Sequence, residues 1–524
     1  MIGMRSTTAG AALLALCAAM ASASDAPVAR AAREGDRATL ASLLAGKANV
    51  NTPEVDGTTA LHWAVRSDNL DLVKALLKAG ANANAANRYG VTPVVLAAGT
   101  GDAAVMRALL DAGADAKFTA AEGETALMIA ARTGRVEAVR LLLAHGADVN
   151  HVERWYGQTA LMWAAADDHG DVVRALVDAG AALDVRSSVL APPKRDLADF
   201  RTDKNGAALQ TLLTTFPKGG MTAAHFAARQ GAVHAINALA GAGAYLDAGD
   251  PDGITPLLLA IRNGHYAAAA ALVENGADVN AADGAGRTPL YSAIDMHSLD
   301  WIQNRPAPQT ADALDSLDVA RLLLDYGAAP NPALKAAPPG WKGDAVGAQN
   351  TFGVLAAGTT PFLRAARNAD GAAMRLLLDK GADSSLTTRN HVNALMALVG
   401  GLGRKYGADL HVSEDEEKNA LREIAVLIDR GADVNAANDA GQTALHAAAM
   451  VGANGVVRFL VDRGARIDAK NKQGRTPRDE ALRGMANVDG ALNDPHTDTA
   501  DLLADMMSKR GIQIAAKGAA TSEP

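Results

Sequence analysis

The stretch Glu122 to Asn150, EGETALMIAARTGRVEAVRLLLAHGADVN, sets short apolar faces between polar breaks, and most of the chain repeats that alternation. A short helix is predicted from Ala126 to about Arg132. Thr125 opens it, because its hydroxyl can accept a hydrogen bond from a backbone N–H that lacks a helical partner. The pattern breaks at Gly134. A second helix then carries Val136, Val139, Leu142 and Leu143 at the 3.6-residue period, which makes one face apolar. Gly146 ends it, since glycine enters the left-handed conformation with no Cβ penalty. Asp148 to Asn150 leads outward into a turn. A helix–turn–helix unit of this size cannot bury its own apolar face and must stack on copies of itself.

The copies are present. The capping threonine returns as Thr59, Thr92, Thr125, Thr159, Thr222, Thr255, Thr288, Thr360, Thr443 and Thr476, with Asn393 in one equivalent place. Most gaps between neighbouring caps are 33 residues, for example Thr59 to Thr92 and Thr443 to Thr476. A fixed period of that length marks a stacked array. The pieces TALHWA (Thr59 to Ala64), TALHAA (Thr443 to Ala448) and GADVNAAN (Gly431 to Asn438) resemble the ankyrin repeat family. The resemblance implies an all-α solenoid of about twelve helix–turn–helix units joined by hairpin loops, with binding and no chemistry of its own as the expected role.

The irregular gaps place the insertions. Thr159 to Thr222 exceeds one repeat, and residues 187–218 take up the excess with Pro192-Pro193, a charged run from Lys194 to Lys204 and a candidate short helix over 207–214. Thr288 to Thr360 leaves room for insertions at 296–315 and at the Pro/Gly-rich 332–357, and Asn393 to Thr443 for one at 400–417. The organisation is therefore a capping repeat over 24–54, repeats over 55–186, 219–331 and 358–471, a C-terminal capping repeat over 472–510 and a flexible tail over 511–524. The first cap lacks the threonine signature and reads as a polar shield for the array.

The N-terminus is different in kind. Arg5 precedes an apolar run from Ala9 to Met20, followed by small residues at Ala21-Ser22-Ala23. That order reads as a signal peptide over residues 1–23, cleaved after Ala23. The run falls well short of the roughly 20 residues a membrane helix needs. Leu16 stands where a lipobox before Cys17 wants a small residue. Cys17 is the only cysteine and lies in the segment to be removed, so the mature array owes nothing to disulfides. A periplasmic destination is expected, with secretion as the alternative. The net charge of −8 and the absence of any basic run argue against nucleic acid, which needs a basic stripe for its phosphates.

Candidate chemistry narrows quickly. The chain has no G-x-S-x-G elbow, P-loop, dinucleotide-binding glycine set or HExxH, so neither catalytic residues, a cofactor nor a metal site is expected. His62, His225 and His446 fill the histidine of the T-x-L-H pattern, and the resemblance implies that each bonds between neighbouring turns. The acidic run Ser413 to Glu417 reads as a solvated loop. Trp63, Leu96, Ile129, Trp163, Phe226 and Leu259 share the place after that histidine; family members put leucine there, which implies packing between repeats.

Two sets of residues point to a partner. By the resemblance, the residues just before the inter-helix break face the concave groove. Here they include Arg66, Arg132, Arg229, Arg262 and Arg367, a recurrent arginine suited to bidentate capture of carboxylates. The hairpin tips add Arg88-Tyr89 and Arg154-Trp155-Tyr156, residue types that dominate interface energetics. The expected partner-binding set is Arg88, Tyr89, Arg132, Arg154, Trp155, Tyr156, Arg229 and Arg262. The expected partner is a protein, acidic and partly extended. A secreted effector and an accessory or protective factor for an exported redox enzyme are the other functions compatible with the sequence.

Overall fold

The computed structural model describes residues 26–120, 122–189, 219–297, 313–336, 357–403, 412–483 and 495–513. The signal peptide with Cys17, the bulk of the 187–218 insertion with its candidate helix, most of the insertions at 296–315 and 332–357, and nearly all of the tail lie outside the described residues.

Among the described residues there are 24 α-helices and no strand, arranged as twelve helix pairs in two compact units, one ending at Tyr245 and one beginning at Leu246. The first unit holds α1 (Pro27–Glu34) with α2 (Arg37–Ala45), α3 (Ala60–Arg66) with α4 (Leu70–Lys78), and α5 (Pro93–Thr100) with α6 (Ala103–Asp111). It continues with α7 (Ala126–Arg132) and α8 (Val136–Ala144), α9 (Ala160–Ala166) and α10 (Gly170–Asp178), then α11 (Ala223–Gln230) and α12 (Val233–Gly241). The second unit holds α13 (Pro256–Arg262) with α14 (Tyr266–Glu274), α15 (Pro289–His297) with α16 (Ser316–Asp325), and α17 (Pro361–Arg367) with α18 (Gly371–Asp379). Its last pairs are α19 (Ala394–Gly400) and α20 (Glu414–Asp429), α21 (Ala444–Met450) and α22 (Asn454–Asp462), and α23 (Pro477–Arg483) and α24 (Thr497–Lys509).

Within each unit, first helices pack on first helices and second on second, which gives two layers with the core between them. Small residues permit the close approach: Ala130 and Ala131 in α7 are fully buried. In α8 the buried face is Ala138, Val139, Leu141 and Leu142, with Val136 and Leu143 half-buried at its edges. The opening cap behaves as its polarity requires. Helix α2 buries only Leu40, so its outer face is left to water.

The caps follow the pattern with one refinement. Thr125 accepts from Met128 N–H at 3.2 Å, and Asn393 from Met396 N–H at 2.9 Å. At Thr59, Thr222 and Thr443 the hydroxyl meets the Nδ1 of the histidine three residues on instead. Gly146 closes α8 at φ 85°, as expected of a left-handed cap.

The turn after each second helix carries more than a change of direction. Asn150 Oδ1 accepts from Ala182 N–H at 2.8 Å while its Nδ2 donates to the Gly180 carbonyl at 3.2 Å. Asn51, Asn84, Asn280, Asn331 and Asn435 repeat the same two bonds to the next pair. The rung from Asn280 reaches Ala329, and the rung from Asn331 reaches Asp383, so both long insertions leave the ladder unbroken.

One expectation is corrected. Ser413 to Glu417 is not a solvated loop but the start of α20, with Ser413 Oγ accepting from Glu416 N–H as its cap. At 16 residues α20 exceeds the 9 of its counterparts α18 and α22. The acidic run favours this start, because carboxylates are stabilised by the partial positive charge of a helix N-terminus.

Candidate functional site

The first helices carry two sets of candidate residues, one of rings and alkyl chains and one of arginines. Trp63, Leu96, Ile129, Trp163 and Leu259 are half-buried, and only Phe226 is fully enclosed. The leucine-slot reading therefore needs correction: the position lies at the margin of the core, with one side of the ring or alkyl chain available. The reason is geometric. Its neighbours on either side in the helix, such as Met162 and Ala164 around Trp163, already fill the space between layers.

The groove arginines lie on these rings. Arg66 sits over Trp63 at 5.6 Å from the ring centroid, Arg132 over Trp163 at 4.9 Å and Arg229 over Phe226 at 4.8 Å. Arg66 and Arg132 are exposed, whereas Arg229 is half-buried and burial lowers its pKa from the usual guanidinium value. A guanidinium stacked on an aromatic face keeps its in-plane donors free for an oxyanion while the ring offsets its desolvation. The Arg132–Trp163 pairing was not legible as such, because its halves belong to successive repeats, whereas Arg66–Trp63 and Arg229–Phe226 lie three residues apart on one helix.

At the first of these rings the slot is filled from within. Glu54 Oε2 accepts from Trp63 Nε1 at 3.0 Å, and its Oε1 lies 2.6 Å from Arg33 Nη1. Arg33 lies in the last turn of the preceding first helix, so one carboxylate bridges its guanidinium and the next repeat's indole. Sequence reasoning gave Glu54 no role; its place nine residues before a tryptophan was the available signal.

The hairpin tips are exposed. Tyr89 is 65% exposed, Trp155 63% and Tyr156 56%, and Arg88 and Arg154 are exposed as well. Arg88 and Tyr89 engage each other, with Nη2 donating to the phenol oxygen at 3.0 Å and the guanidinium 5.1 Å from the ring centroid. The longer tip is held by Glu153, which is buried. Its carboxylate accepts from the backbone N–H groups of Trp155 at 2.6 Å, Tyr156 at 2.7 Å and Gln158 at 3.0 Å. This fixes a turn that projects two large rings into solvent. Of the eight expected site residues, seven belong to the first unit, on helix ends (Arg132, Arg229) and on tips (Arg88, Tyr89, Arg154, Trp155, Tyr156). Arg262 is half-buried at the end of α13 in the second unit.

The histidines hold structure. His62 Nδ1 takes the Thr59 N–H and hydroxyl, and Nε2 lies 3.0 Å from the Val91 carbonyl. The contacts require Nδ1 to accept and Nε2 to donate, which is the neutral ring. His446 repeats this with Arg475 at 3.1 Å. Burial lowers the pKa of both rings. Among the described residues no group of histidine, cysteine and carboxylate side chains has metal-site geometry, and no helix is long and apolar enough to cross a membrane.

Models of ankyrin repeats in three copies match residues 28–120, 94–187, 202–283 and 224–334, and one of ankyrin repeats in many copies matches 427–481. The chain belongs to the ankyrin repeat family. Ankyrin repeats are protein–protein interaction scaffolds, and that coarse role carries over. A solved structure, the human ASB11 ankyrin repeat domain, is 27% identical over 48% of this chain and 97% of that one, with a TM-score of 0.38. No curated protein matches the sequence.

Proposed function

We propose that this ankyrin protein is a non-catalytic periplasmic scaffold that captures an acidic, partly extended protein through its groove arginines and hairpin tips. The observation that carries the reading is the row of guanidinium groups laid on half-exposed rings, Arg66 on Trp63 and Arg132 on Trp163. A chain with net charge −8 that places cations in such a row offers an acidic partner a local complement within a repulsive surround. Trp155 and Tyr156, held outward by Glu153, supply the apolar anchors that cluster in binding hot spots. The signal-peptide pattern at residues 1–23 supports export.

The experiment is an affinity capture from periplasmic extract, run with wild type and with Arg132→Glu/Trp155→Ala side by side. Capture of a defined protein by the wild type and its loss from the double variant is the expected result. Equal capture by both would remove these residues from the site, and recovery of the protein in the cytoplasmic fraction of cells would refute the location.

A further inference from the structure

We infer that Arg132 and Trp163 form a receptor for a single carboxylate, the counterpart in a partner of what Glu54 supplies internally to Arg33 and Trp63. The inference deepens the scaffold reading and rests on it. Arg132 lies three 33-residue periods after Arg33. Trp163 lies three periods after Trp63, plus the one additional residue of the longer hairpin. Within the first unit these are the two places where an arginine in the last turn of a first helix is followed by a tryptophan in the next repeat; Arg66 precedes Leu96, and Gly99 and Ala166 precede Ile129 and Phe226.

Arg66 also lies over the Trp63 ring where Ala166 follows Trp163, and the two places differ further at the indole N–H. At the first, the carboxylate of Glu54 receives the indole N–H and the guanidinium. At the second, the Trp163 indole N–H is shielded from water and has no hydrogen-bond partner, and the Arg132 guanidinium lies over the ring. A buried donor left without an acceptor is costly to the folded state. The missing acceptor has an identifiable cause. Glu153 holds the hairpin place of Glu54, since its N–H closes the turn on the Gln158 carbonyl as that of Glu54 closes on Thr58. Its carboxylate is committed to three backbone N–H groups of its own tip. The residue that would fill the slot instead shapes the finger.

A carboxylate from outside completes the set. It accepts from the Trp163 N–H with one oxygen and from Arg132 with the other, after the exposed Arg132 side chain slides from the ring face to the ring edge. Both bonds are charge-assisted at the oxygen, and the one to Arg132 is an ion pair shielded on one side by the indole. A glutamate or aspartate side chain fits this chemistry; an amide lacks the charge that Arg132 selects.

The test follows the indole N–H resonances of tryptophan-labelled protein during titration with a short glycine–glutamate peptide and with its glycine–glutamine counterpart. The Trp163 resonance, identified by its loss in Trp163→Phe, is expected to shift with the glutamate peptide and stay still with the glutamine one. Arg132→Gln should weaken that response about tenfold or more. The Trp63 resonance should not move in the wild type and should begin to respond in Glu54→Ala, where its slot is emptied. A Trp163 resonance that ignores both peptides, or follows both alike, overturns the receptor. Partner capture by the wild-type protein separates the two readings. If a partner is captured while the resonance never responds, the scaffold stands and the slot falls; if the resonance responds and no partner is captured, the slot stands and the scaffold falls.

Discussion

At the scale of single residues, the titrating histidines divide by environment. His446 is buried and its pKa is lowered, first by desolvation, so the folded state holds it neutral. The unfolded chain takes up a proton near pH 6.5, and the stability the neutral ring contributes is therefore lost as pH falls below that value toward the lowered folded pKa. His297 runs the other way. Its bond to Asp370 Oδ2 at 2.5 Å raises its pKa, so its contribution is present below pH 6.5 and lost as pH rises through the raised folded value. His446→Gln should cost about 1–3 kcal/mol at neutral pH, from disrupting the ring's three contacts in a buried site. That cost should shrink between pH 7.5 and 5.5, while the cost of His297→Gln grows over the same interval. Urea midpoints of the two variants against wild type decide it: parallel pH profiles would mean that neither ring titrates as its surroundings dictate.

At the scale of elements, the helices and their caps were readable because threonine, glycine and the 3.6-residue period act locally. The length of α20 was not, because what stabilises its first turns comes from neighbouring repeats. Glu417 Oε1 accepts from the Gly455 and Val456 N–H groups at 2.6 and 3.1 Å, capping α22 from outside. Glu423 pairs with Arg375 Nη1 at 3.0 Å beside the start of α18. Glu423 and Arg375, together with Glu416, Asn419 and Arg422, line a polar cleft of about 220 Å³. A side chain at Gly371 would crowd this contact. A Cβ on Gly371 would stand 2.0 Å from Glu423 Oε1 and 2.5 Å from its Cδ. Alanine at a helical position normally gains about 1 kcal/mol over glycine, and displacing a carboxylate that is only 7% exposed outweighs that gain. Gly371→Ala should thus destabilise by about 1–3 kcal/mol, and Gly371→Ala/Glu423→Ala should recover part of the loss. Thermal or urea unfolding checks this; a Gly371→Ala protein more stable than wild type would show that Glu423 is free to move aside.

At the scale of the molecule, the repeat period located the stack and its insertions, and the family resemblance pointed to the groove. The contacts that join one repeat to the next were less visible. The asparagine closing GADVN reads locally as a turn former, and only in three dimensions does it reach the following repeat about 31 residues ahead, as Asn51 reaches Asn82 and Asn435 reaches Arg466. The Arg132–Trp163 stack escaped for the same reason, since its halves sit in different copies. Stability of such an array is a sum of repeat terms and nearest-neighbour couplings. A ladder residue should therefore act on coupling more than on the fold of its own pair. Asn150→Ala removes two bonds to the next pair, about 1–3 kcal/mol of interface, and leaves α7 and α8 their own packing. Amide exchange should accordingly lose protection in α9 and α10, with α3 and α4 unchanged. Asn435→Ala should do the same for α21 and α22 in the second unit while α13 and α14 hold. Uniform loss of protection throughout a unit would mean that it unfolds as one block and that its rungs merely add to a single cooperative total.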